Sequence, residues 1–214
     1  MSKLMMLSAG AVVAAALVAG CSNGTADKTA GDTANTSTTS AAAAPQVTGE
    51  AHNDADVMFA HHMIPHHQQA VEMSDVLLAK PGVDPRVTEL ATQIKAAQGP
   101  EIEQMQRWLK QWGNPPMPPM PHGDMPHGDM GHGDMPAMQG MVSDADMTAL
   151  RNAQGVEAAK LYLTHMIAHH EGAITMAKDE IDDGQYAPAV EMARAIVSSQ
   201  QQEIDAMGQI LGSL

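Results

Sequence analysis

Along the chain, Phe59, Met63, His66, Ala70, Met73 and Leu77 recur at 4-3-4-3-4 spacing, the rhythm that lines one face of a helix. Tyr162, Met166, His169, Ala173, Met176 and Glu180 repeat it. Two further stripes, Ile94, Gln98, Glu101, Met105, Trp108 and Ile196, Gln200, Glu203, Met207, Ile210, also keep a helical period. The pattern predicts four long helices whose apolar faces are interrupted by a few polar residues.

Local signals place the helix ends. Asn53 or Asp54 can cap a first helix that runs to about Lys80, where Pro81-Gly82 stops it. Asp84 and Pro85 form a cap and first-turn pair for a second helix, which reaches about Trp112. Ser143 caps a short lead-in, and Gly155 marks a break before a third long helix that ends near Gly184. The fourth starts at Pro188 and runs to about Leu211. Pro65 predicts a bend in the first helix, and Gly99-Pro100 a kink or split in the second.

The helices come in two copies. Phe59, His62, Met63, Ile64, His66, His67, Ala70 and Met73 reappear as Tyr162, His165, Met166, Ile167, His169, His170, Ala173 and Met176, each 103 positions later. Glu89, Leu90, Ile94, Gln98, Glu101, Ile102, Met105 and Leu109 return at an offset of 102. One residue is therefore missing from the loop of the second hairpin. The expected fold is all-α, a four-helix bundle made of two duplicated hairpins, 53–112 and 143–214, within one domain spanning 53–214. A long disordered crossover, 113–142, joins them.

Composition agrees with helices and narrows function. Aromatic residues make up 2% of the chain, so its core must be built from Ala, Leu, Ile, Val and Met, which suits closely packed helices. A formal charge of -14 with only 11 Lys and Arg argues against nucleic acid, whose phosphates need cationic partners. An acidic surface favours cations.

The first 20 residues read as an export signal, with Lys3 followed by an uncharged apolar run from Leu4 to Gly20. That run is short for a membrane span. It ends in Val18-Ala19-Gly20-Cys21, which resembles a lipobox, with Cys21 the lipidation site. The competing reading is a free thiol in an uncleaved anchor. Cys21 is the only cysteine, so a lipidated chain keeps no thiolate for metal or disulfide. Residues 21–52, rich in Thr, Ala, Ser, Gly and Asp, read as a disordered tether that holds the domain roughly 30 Å from a membrane. The expected location is extracytoplasmic and membrane-anchored.

Candidate chemistry sits on the repeated histidines and methionines. His62 with His66, and His165 with His169, stand four apart on a helix, a spacing that lets two imidazoles share an ion. Met63 and Met166 lie four residues before His67 and His170. Thioether sulfur favours Cu(I) or Ag(I), and imidazole also suits Cu(II) and Zn(II), so the set reads as copper first. Methionine at helical spacing also fills cores, the role expected of Met73, Met105, Met176, Met192 and Met207. Glu101 and Glu203 are metal ligands, partners that orient the histidines, or surface charges. Whether the two blocks make one shared site or two is open at this level. Unperturbed imidazoles would lose metal below about pH 6.

The crossover carries a five-residue repeat: HGDMP at 122, HGDMG at 127 and HGDMP at 132. His122, Met125, His127, Met130, His132 and Met135 could wrap a soft ion, and the competing reading is a low-complexity spacer.

The blocks MIPHHQQAVEMS and MIAHHEGAITMA, followed by Gln98 to Met105 and Gln200 to Met207 in a Q-x-x-E-I-x-x-M pattern, resemble domain of unknown function 305, the CopM-like proteins. The resemblance spans about Asp54 to Leu211 outside the crossover. It implies a ferritin-like four-helix bundle, exported or lipid-anchored, with periplasmic copper binding and resistance among its members. Carried over by motif, the family's blocks fall on Met63, His66, His67, Met166, His169 and His170. The chain has no Glu-x-x-His motif, which argues against di-iron oxidase chemistry.

Three classes follow. The leading one is a non-enzymatic, lipid-anchored protein that binds copper, with Ag or Zn as substitutes, for sequestration, resistance or transfer to a partner the sequence does not identify. The others are a structural or interaction lipoprotein with hydrogen-bonded core histidines, and a metal-dependent oxidase or hydrolase using Glu101 and Glu203.

Overall fold

Side-chain caps set the starts of three helices. In a computed structural model the protein is described over residues 51–115 and 139–214. The export signal, Cys21, nearly all of the tether and the repeats from His122 to Met135 lie outside these residues. The described residues form five helices and no strand: α1 Asp54–Leu78, α2 Pro85–Gln111, α3 Asp144–Asn152, α4 Gly155–Asp183 and α5 Ala187–Leu211. The Asn53 side chain accepts from the amides of Ala55 and Asp56, and Asp56 accepts in return from the Asn53 amide, which fixes the start of α1. Asp84 accepts from the Arg86 amide ahead of Pro85 at the start of α2, and Ser143 caps α3. Gly155, at φ +53°, lies at the junction of α3 and α4, where its missing Cβ permits the left-handed turn.

Neither inner proline interrupts its helix. α1 continues through Pro65 and α2 through Pro100, so the second helix is not split. Both prolines are exposed, where solvent can take up the carbonyl each leaves unpaired.

The duplicated hairpins pack as expected. α1 lies against α2 and α4 against α5, α1 also packs on α4 and α2 on α5, and α3 rests on α1 and α4. Two apolar clusters fill the interior. One joins Ala70, Met73 and Leu77 of α1 to Ala158, Tyr162 and Met166 of α4. The other joins Phe59, Ala60 and Met63 to Ala173, Met176 and Ala177. The first half of α1 thus meets the second half of α4, and the reverse, so the two helices run antiparallel. Burial of each large side chain contributes about 1.5–3 kcal/mol. Met73, Met105, Met176 and Met207 are buried core, and Met192 packs at its edge.

Two buried polar contacts lock this frame. The Ser74 hydroxyl pairs with the Tyr162 hydroxyl at 2.9 Å, giving the one polar atom by which Tyr162 differs from its twin Phe59 a partner. Asp56 accepts from the amides of Gln185 and Tyr186 at 3.1 and 2.8 Å, fastening the start of α1 to the turn between α4 and α5.

Candidate metal centre

Along α1, His66 and His67 fall between Met63 of one apolar cluster and Ala70 of the other. Along α4, His169 and His170 fall between Met166 and Ala173. The four imidazoles form a polar layer across the middle of the interior, and all four residues are buried. Met63 and Met166 flank the layer on opposite sides, each with no exposed surface.

The two copies meet in this layer. The rings of His66 and His169 lie with centroids 3.7 Å apart and planes tilted by 37°. His169 and His170 have centroids 6.5 Å apart. The two His-Met blocks therefore build one shared cluster.

Carboxylates from the outer helices orient two of the rings. His67 Nε2 lies 2.9 Å from Glu101 Oε2, and His170 Nε2 lies 2.7 Å from Glu203 Oε2. Glu101 and Glu203 thus stand as hydrogen-bond partners of two buried histidines, one of the three roles open to them. His66 Nε2 lies 3.1 Å from the Gln139 carbonyl, to which it donates. With Nε2 engaged on these three rings, Nδ1 is the nitrogen left over on each. Five buried ring nitrogens have no hydrogen-bond partner: Nδ1 of His66, His67 and His170, and both nitrogens of His169. Gln98 and Gln200, buried on α2 and α5, also leave their Oε1 atoms unpartnered.

Burial keeps the two central rings neutral. It carries His66 down to about 3, against an opposing pull from the Gln139 carbonyl, with His67 and His170 adding to the fall. His169 is held well below the ordinary imidazole range by burial first, then by His66, His170 and His67, against an opposing pull from the His66 backbone. A neutral imidazole with a free lone pair is the form that ligates metal.

His62 and His165 stand apart from this group. Both are partly exposed, and neither is hydrogen-bonded or ring-stacked to the buried four. The close ring contact of the buried group, His66 with His169, instead joins α1 to α4 across the bundle. His62 is shifted down by partial burial and then by His61. Among the described residues, no group of three or more His, Cys, Asp or Glu side chains is arranged to hold a metal ion as it stands.

The model of the domain of unknown function DUF305 matches residues 56–211. The chain belongs to the DUF305 family. A DUF305 fragment from Deinococcus radiodurans is similar at 31% identity and a TM-score of 0.63, over 76% of this chain and 98% of that one. A DUF305 protein from Streptomyces coelicolor is similar at 35% identity and a TM-score of 0.64, over 74% and 93%. CopM in its Cu(I)-bound form is similar at 27% identity and a TM-score of 0.58, over 74% and 96%. CopM has also been solved in Cu(II)-bound and Ag-bound forms. No curated protein matches the chain. The DUF305 match spans both hairpins and so includes the whole histidine layer.

The motif reading missed several residues of this DUF305 site. Gln139 accepts from His66, Gln69 holds Val142 beside it, and Asp56 and Glu180 are both buried at one end of the bundle. The available signal was divergence between the copies: Gln69 aligns with Gly172, and Glu180 aligns with Leu77.

Proposed function

We propose that this DUF305 chain is a lipid-anchored, extracytoplasmic metal-binding protein that takes up copper for sequestration, resistance or transfer, with silver as a surrogate. The observation that carries the reading is the set of five unpartnered, buried ring nitrogens shared by the two halves of the bundle. Leaving such groups unpaired costs free energy, which an ion would recover. Histidines kept only for the core would be expected to pair every ring nitrogen.

The donor set points to a soft ion. Among the described residues no three imidazoles or carboxylates are grouped as a tetrahedral Zn(II) site would need. Cu(I) and Ag(I) accept few ligands and favour thioether sulfur, which Met63 and Met166 can supply from either side of the layer. The copper- and silver-bound structures of CopM support the same class of ion. Burial also changes the expected pH threshold. His66 stays neutral down to about 3, so its ligation does not fade near pH 6.

We read the protein as a binder and not as an enzyme, because Glu101 and Glu203, the carboxylates that a hydrolytic or oxidative site would use, are engaged by His67 and His170. Cys21 would supply the anchor, and the HGDM repeats a second, softer binding region. Titration of the purified protein with Cu(I), Cu(II), Ag(I) and Zn(II), beside the His66→Ala, His169→Ala double variant, tests the core site. Tight Cu(I) and Ag(I) binding that the double variant loses is expected, and equal binding by both proteins would refute it. Deletion of Pro121 to Pro136 should lower the number of ions bound and leave the core site intact.

A further inference from the structure

The residues immediately after the repeats cross the histidine layer. Gln139 places its carbonyl 3.1 Å from His66 Nε2. Val142 is held by both of its backbone groups: its N–H donates to Gln69 Oε1 and its carbonyl accepts from Gln69 Nε2, each at 2.8 Å. One α1 side chain thus grips this segment as a neighbouring strand would.

The α4 side is shaped to receive the same segment. A Cβ on Gly172 would lie 2.1 Å from the Gln139 carbonyl oxygen, so any larger residue there would displace the segment. Gly140, at φ +76°, has its Cα against α4, where a Cβ would lie 2.4 Å from the Ala168 carbonyl oxygen and 3.0 Å from His169 Cα. Gln69 and Gly172 occupy equivalent positions in the two copies, 103 residues apart. A single segment cannot obey a twofold relation. The equivalent positions have become a clamp on one helix and a clearance on the other.

The segment also makes the two central histidines unlike. His66 has its Nε2 proton committed to Gln139, whereas neither ring nitrogen of its twin His169 bonds to the segment. Fixing the proton on one nitrogen fixes the lone pair on the other.

We propose that Gln139–Val142 is a strap, held by Gln69 and admitted by Gly172, that locks His66 with Nδ1 as its ligating atom and closes the His66–His169 pair from outside, so that it governs ion exchange. This rests on the metal-binding reading above. Gln69 is a positioning residue: it touches the strap and acts on His66 only through it.

Two variants loosen the strap from opposite sides without altering a histidine. Gln69→Ala removes the clamp, and Gly172→Ala fills the clearance. The full chain is studied metal-free, by nitrogen-15 spectra of the imidazole rings, and loaded with Ag(I), by the rate of silver transfer to a thiol chelator. The wild type should hold His66 as the Nε2–H tautomer alone. Both variants should show mixed tautomers and exchange silver faster by about tenfold, the low end of what loss of an orienting contact costs a metal site. If Gly172→Ala does not fold, Gln69→Ala carries the test. A single Nε2–H tautomer in the folded variants, or mixed tautomers with unchanged silver exchange, would overturn the strap while leaving the metal reading in place. A wild-type cluster that binds no Ag(I), yet keeps one tautomer, would instead overturn the metal reading and with it the exchange role of the strap.

Discussion

The imidazoles of His66 and His169 lie with centroids 3.7 Å apart, although the residues are 103 positions apart and hold equivalent places in the two copies. Two charged rings would repel at this distance, and burial holds both well below the ordinary imidazole range. The pair therefore marks the pseudo-twofold centre of the fold with two neutral imidazoles.

The orienting carboxylates should behave as twins. Glu101→Ala and Glu203→Ala each remove the acceptor for a buried Nε2. Each should lower Cu(I) and Ag(I) affinity by roughly 10- to 100-fold and cost about 1–3 kcal/mol of stability in the metal-free protein. Competition titration and thermal melts check both effects. Unaltered affinity in either variant would place that carboxylate outside the site's machinery.

Met63 and Met166 separate packing from ligation. Leucine nearly conserves volume, so Met63→Leu and Met166→Leu should each cost less than about 1.5 kcal/mol. Thioether loss should nonetheless weaken Ag(I) and Cu(I) binding while leaving any Zn(II) affinity unchanged. Parallel titrations with the soft and borderline ions distinguish this from a plain core role, in which all ions would be affected alike or not at all.

Much of this arrangement was legible in the sequence because its causes are local. Asn53, the Asp84-Pro85 pair, Ser143 and Gly155 mark helix ends through their own hydrogen bonds and backbone angles, and the 103-residue offset exposes the duplication. The ligand partners were not legible, because helical spacing reports neighbours on one helix and not across the bundle. It paired His62 with His66, whereas the fold pairs His66 with His169. Gln69 escaped notice for a related reason: reading two copies side by side highlights positions that match, and the strap depends on one that does not. Pro65 signalled a bend and Gly99-Pro100 a kink or split; both prolines are exposed, and each helix runs on through its proline.

Glu180 predicts a pH dependence unrelated to metal. Buried near Asp56, it is pushed up to about 8 by burial first and then by the neighbouring Asp56 carboxylate. A carboxyl raised in the fold binds more protons folded than unfolded, so stability is greatest below the unfolded value near 4.5 and falls as pH rises toward about 8. Glu180→Gln, which mimics the neutral acid, should flatten this decline. Chemical denaturation of the metal-free protein between about pH 5 and 9 measures it, and an unchanged pH slope in the variant would contradict the assignment.

The central claim is that one ion site lies in the layer shared by the two halves. Crystals of the full chain loaded with Cu(I) or Ag(I) and measured for anomalous scattering test it most directly. A peak within ligating distance of a ring nitrogen of His66 or His169, with Met63 or Met166 sulfur beside it, is the predicted result. Anomalous peaks confined to the surface or the crossover, with the layer empty, would contradict it.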